Sequence, residues 1–167
     1  MANNKPLAIL ASIFIAFFIV SPTHALSAKQ EGAISTNCGS IQQTLKQLAK
    51  SDSSTRVFLG TAYENILSRF ITPLNLRLVK NNQPSTKLTS IQSKFISERG
   101  TFNNNFTSYM QQLEELTATD CKKQPDVFYE KLEKTRAKRA ELQKSVLELN
   151  SLLHDQIDAV DQLKESL

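Results

Sequence analysis

The sequence predicts an all-α fold: an elongated, antiparallel three-helix bundle with coiled-coil-like packing, preceded by a signal peptide. Three observations carry this expectation. Apolar residues recur at spacings of three and four, which gathers them on one face of a helix, and no Val/Ile/Thr run alternates at the period of a strand. Only four glycines occur in 167 residues. The two cysteines, Cys38 and Cys121, lie on either side of a strong turn signal, Asn81-Asn82-Gln83-Pro84-Ser85. Facing residues of an antiparallel hairpin have position numbers that add to a constant. Pairing Cys38 with Cys121 centres the hairpin close to Lys80, beside that turn.

Residues 1–25 read as a secretory signal outside the fold. Lys5 supplies a short positive start, Leu7 to Val20 is an apolar run broken only by Ser12, and Thr23-His24-Ala25 is a small-residue cleavage site. As a helix the run spans roughly 21 Å, short of the ~30 Å hydrocarbon core of a bilayer. No second apolar span follows. The chain is therefore expected to be exported (secreted, periplasmic or associated with the cell surface), with no transmembrane segment after cleavage. Two cysteines in an exported chain predict one disulfide, Cys38–Cys121. Closing that loop removes about 4–5 kcal/mol of unfolded-state freedom.

An N-terminal extension over 26–39 precedes a first helix expected over about 40–80. Its seam is Ile41, Leu45, Leu48, Leu59, Ala62, Ile66, Phe70 and Leu74, with Asp52 and Thr55 at seam positions in a polar stretch that leaves the phase intact. Ser40 with Gln43 fits a capping box at its start, and Pro73 is expected to kink it. A second helix over 86–119 carries Leu88, Ile91, Phe95, Phe102, Phe106, Tyr109, Leu113 and Leu116. Gly100 and Asn103-Asn104-Asn105 weaken its middle. The third, over 125–166, opens on Pro125, which suits a first helical position. Its seam is Phe128, Leu132, Leu142, Val146, Leu149, Leu153, Ile157 and Val160, continuing toward Leu167, with Thr135 and Arg139 as interruptions. The cysteine register also sets Gly60 near Gly100 and Phe58 near Phe102, a level that would be a close backbone approach or a soft joint.

Catalytic patterns are missing. His154 is the one histidine after the signal, with no nucleophile elbow, phosphate loop, C-x-x-C or H-E-x-x-H beside it, so no enzyme activity and no cofactor are expected. His154, Asp158, Asp161 and Glu165 share a helix face, which reads as a solvated face in preference to a cation site. A net charge of +4, one less once Lys5 is removed, is too mild to imply nucleic acid. The charge of the third helix is nevertheless polarised: residues 122–144 hold eight basic side chains against four acidic ones, and 145–167 hold five acidic ones against Lys164. That order opposes the helix dipole. It fits contact of Lys131, Lys134, Arg136, Lys138 and Arg139 with an anionic cell-envelope polymer or a protein, antiparallel self-association through this helix, or a face solubilised by pairs such as Glu130–Lys134. Asn105-Phe106-Thr107 is a glycosylation sequon in a eukaryotic host only.

The segments C-G-S-I-Q-Q-T-L-K-Q-L, P-S-T-K-L-T-S-I-Q-S-K-F and D-C-K-K-Q-P-D-V-F-Y-E-K-L-E-K-T-R, with the signal peptide, resemble uncharacterised exported helical proteins of candidate-phyla (Patescibacteria-type) bacteria. The most specific shared element is the step from Cys121 to the helix-starting Pro125; this chain has Gln124 where the group has a better N-cap. The resemblance implies export and a rod made of a hairpin plus a helix, and brings no catalytic residues. The expected role is an envelope-associated or secreted interaction or structural module. The alternative is a periplasmic holdase resembling the Skp/OmpH group, whose members carry a strand-forming trimerisation body beside helical arms.

Overall fold

The computed structural model describes residues 26–165; residues 1–25, read above as a signal peptide, and Leu167 at the end of the third seam lie outside them. The described chain is helical throughout its regular elements: α1 (Ala28–Ile66), a π-helical turn (Leu67–Ile71), α2 (Thr72–Lys80), α3 (Thr86–Thr117) and α4 (Pro125–Glu165). The π turn joins α1 to α2 without a break, so three helical rods result. At 41 residues, α4 alone is about 60 Å long. No strand occurs among the described residues, so nothing there corresponds to the strand-built body of an Skp-like chaperone.

The first helix begins at Ala28, not near residue 40. Ser27 takes the capping box assigned to Ser40: the Gln30 N–H donates to Ser27 Oγ (3.4 Å) and the Ser27 N–H donates to Gln30 Oε1 (3.0 Å). The supposed extension thus forms the opening turns of α1. Its apolar members Ile34 and Cys38 have a surface to bury against, a lower core with Leu45, Tyr109, Leu113, Leu116, Cys121 and Phe128. The polar stretch around Ser51–Thr55 stays inside one continuous helix, as its intact phase predicts.

Cross-links between α1–α2 and α3 fix the hairpin register. Gln42 reaches the Thr119 carbonyl, Asp52 meets Tyr109, Glu64 pairs with Arg99, and Asn75 reaches the Leu88 carbonyl. Each pair adds to nearly the same value as Cys38 and Cys121, which are joined with Cα atoms 5.5 Å apart. At the tip, Asn82 adopts φ 54°. The Gln83 N–H donates to the Leu78 carbonyl (2.9 Å) and the Asn82 N–H to the Val79 carbonyl (3.2 Å), the paired bonds of a Schellman ending. At the other end, Asp120 Oδ1 accepts from the Lys122 and Lys123 N–H groups, and α4 starts at Pro125.

Several expected contacts are relocated. Phe58 does not meet Phe102; it stands 72% exposed, while Tyr63 lies edge-on to both Phe95 (5.9 Å) and Phe102 (5.8 Å). Leu59 and Tyr63, four apart, face inward at this level and leave Phe58 on the outer shoulder. Gly60 and Gly100 make no close approach, since a Cβ at either would meet nothing within 4 Å. Pro73 is accommodated by the π turn, in which the Thr72 N–H donates to the Leu67 carbonyl, five residues back. The wider turn shifts the phase: Leu67 and Ile71 are buried, whereas Phe70, assigned to the seam, is exposed. On α4 the buried line runs Leu149, Leu152, Gln156, Ala159, and Ile157 points outward because it lies one position off that line. All eight seam residues expected on α3 are buried.

The antiparallel α3–α4 pair is the most closely packed, and α1 lies on it less intimately. An upper core gathers around Tyr63, Phe95, Phe102 and Leu149. The lower core surrounds the disulfide. Between them the packing of α1 is interrupted.

Candidate functional site

α1 and α4 both run away from the disulfide end, so their facing residues differ by a constant. Ser35 Oγ donates to the Lys122 carbonyl and Arg139 Nη2 donates to Asp52 Oδ1, both across an interval of 87 positions. That offset brings Asp52 and Thr55, the polar interruption of the first seam, level with Arg139, the interruption of the third. Short and polar side chains cannot fill the space an apolar pair would occupy. A cleft of about 540 Å³ remains between α1, α3 and α4. Leu59, Phe102, Phe106, Leu142 and Val146 supply its apolar lining, and Asp52, Arg56, Arg136, Arg139, Ala140 and Gln143 stand beside them.

The polar end of the cleft is a connected group. Tyr109 Oη, fully buried, donates to Asp52 Oδ2 at 2.6 Å, and Arg139 reaches the same carboxylate at 3.3 Å. The Asp52 side chain is only 17% exposed. Burial, then the hydrogen bond and negative charge of Asp52, push the Tyr109 phenol well above its ordinary value, and Arg139 offsets this in part. The Arg56 guanidinium lies over the Phe106 ring, 5.0 Å from its centroid, a cation–π arrangement. Three arginines therefore line the cleft against one aspartate. Neither histidine nor cysteine is among the lining residues.

The five basic residues expected to form one anionic-partner surface are divided. Arg136 and Arg139 reach the cleft. Lys131 turns to α3, where its Nζ donates to Thr119 Oγ1 (3.0 Å) near the helix C-terminus, a favourable place for a cation. Lys134 pairs with Glu130, and Lys138 with Glu141, along α4 itself. The Glu130 bond raises the Lys134 pKa, and the Lys134 bond lowers that of Glu130. Such exposed pairs contribute little to stability. Arg136 is also bonded to Glu133 (2.6 Å).

His154, Asp158, Asp161 and Glu165 stand exposed along α4, and no group of three or more His, Cys, Asp or Glu side chains among the described residues could hold a metal ion. Asn105, in the sequon, is half-buried and donates to Ser145 Oγ on α4 (2.8 Å). No helix among the described residues is long and apolar enough to cross a membrane.

Sequence reasoning marked the interruptions at Asp52, Thr55 and Arg139 but did not bring them together, and it missed Arg56 and the Asp52–Tyr109 bond. The constant offset between parallel helices was the available signal. Fold and cleft define a class, a disulfide-linked all-helical bundle with an amphipathic cleft midway along it. The chain matches no known protein-family model, no curated protein and no solved structure.

Proposed function

We propose that this chain is an exported, non-enzymatic interaction module, secreted or associated with the cell envelope, that engages its partner through the cleft midway along the bundle. The observation that carries the reading is the make-up of that cleft: the buried rings of Phe102 and Phe106 and the half-buried Leu59, Leu142 and Val146 form an apolar floor bordered by Arg56, Arg136 and Arg139. Concave, mostly apolar sites with a few convergent polar groups are where ligands and partner segments bind. The disulfide supports an oxidising compartment, and the leader-like segment 1–25 supports export.

A photo-reactive side chain at Gln143, which lines the cleft, tests this in the producing cell. It is expected to capture a discrete partner that the same group at exposed Asn104 does not capture. Equal labelling from both positions would remove the cleft from the proposal.

A further inference from the structure

We propose that the cleft takes a single-chain amphiphile with a carboxylate head, a free long-chain carboxylate, and this inference rests on the reading of the cleft as the binding site. Its volume of about 540 Å³ lies within the range of small-ligand sites, roughly 300–1,000 Å³. The two cores bound it above and below, so it suits a single apolar chain and no continuous surface. The buried rings of Phe102 and Phe106 and the half-buried Leu142 and Val146 offer that chain an apolar floor.

Charge selects the head group. Arg56, Arg136 and Arg139 are opposed within the lining by Asp52 alone, so the site favours an anion. The planar guanidinium fork matches the two oxygens of a carboxylate. Asp52 already displays the chemistry, a carboxylate held by Arg139 (3.3 Å) and Tyr109 (2.6 Å). Arg136 and Arg139 are three apart on α4, both line the cleft, and both are more than half exposed. Their remaining N–H groups can take an incoming head group, while Tyr109, fully buried, keeps Asp52 in place.

Parinaric acid, a fluorescent long-chain carboxylate, tests the assignment against its neutral methyl ester. The purified protein is expected to bind the acid saturably, one molecule per chain, and about tenfold more tightly than the ester, the loss of one charge-assisted contact. R136Q/R139Q should weaken the acid by about tenfold or more and leave the ester unchanged. Ala140→Trp, at an exposed position that lines the cleft, should fill the cleft and weaken both; it keeps the test decisive if the arginine variant folds poorly. Acid and ester bound equally, both lost in A140W, would preserve the cleft as a site and overturn the carboxylate. Acid binding untouched by A140W would overturn the assignment of the site as well. Binding seen only with phosphatidylglycerol vesicles would mean a headgroup contact at the surface and also overturn the proposal.

Discussion

Tyr109 is the residue on which the middle of the bundle turns. It is fully buried, it belongs to the α3 seam, and its hydroxyl reaches Asp52 across the gap that α1 leaves. A carboxylate largely removed from water needs such a donor, because without one its desolvation is poorly compensated. Replacing Tyr109 by Phe is expected to cost about 1–3 kcal/mol, the loss of a hydrogen bond to a charged group, as read by chemical denaturation. The pH dependence has a definite sign. The folded-state pKa is raised above the ordinary phenol value of 10.0, so the contribution is complete below pH 10 and is lost as pH rises through the folded pKa. The wild-type protein should therefore lose stability above pH 10 more steeply than Tyr109→Phe; parallel curves would disprove the coupling. The aromatic itself was legible in the sequence as an apolar-phase residue. Its bond was not, because Asp52 is 57 positions away and on another helix.

At the scale of the element, α4 shows how a helix can be continuous and still carry several polar residues on its buried face. Thr135, Ser145 and Gln156 are all buried. Thr135 Oγ1 donates to the Lys131 carbonyl one turn back and Ser145 Oγ accepts from Asn105, so both are satisfied. Gln156 is different: neither its amide nitrogen nor its amide oxygen has a hydrogen-bond partner. Gln156→Leu should raise stability by about 1–3 kcal/mol, the penalty of leaving a buried polar group unpaired, measured as an increased denaturation midpoint with an unchanged slope. A fall in the midpoint would show that the amide is satisfied in solution. The third seam was only half legible because its helix has two flanks. Leu149, Leu152 and Ala159 are buried in the upper core, whereas Val146, Leu153 and Val160 are half-buried against it. Ile157, read as a seam residue from its spacing of four from Leu153, falls outside because the line that packing sets runs one position away. The π turn has the same lesson for Phe70: Pro73 announced a disturbance, but one extra residue in the turn rephases everything around it.

At the scale of the molecule, the disulfide and the Asn81–Ser85 turn hold the two ends of the long first arm, and the middle is left to weaker contacts. Cys38 and Cys121 lie 83 positions apart, and linking them restricts the unfolded chain by about 4.5 kcal/mol on the loop-entropy account. Domains of this size have about 5–15 kcal/mol in total. Cys38→Ser with Cys121→Ser is therefore expected to lower stability by about 4–5 kcal/mol. Hydrogen exchange should rise first over residues 28–50, whose buried side chains all belong to the disulfide core. Uniform acceleration across all three rods would show that the staple acts on the whole bundle and not on one end.

By itself the sequence determined the helical class, the α3 face, the turn, the start of α4 and the cysteine register. Each of these is a local signal: a period along one helix, a cap, or a symmetric spacing about one turn. Only the tertiary structure decided that α1 starts at Ala28, that Tyr63 replaces Phe58 in the aromatic contact, and that the five basic residues of α4 are divided between ion pairs, a helix end and a cleft. Those outcomes depend on how α1 is rotated against an α3–α4 pair that is already well packed. A one-residue change in phase, of the kind the π turn introduces, moves a side chain from core to solvent without changing the composition or the spacing of its neighbours.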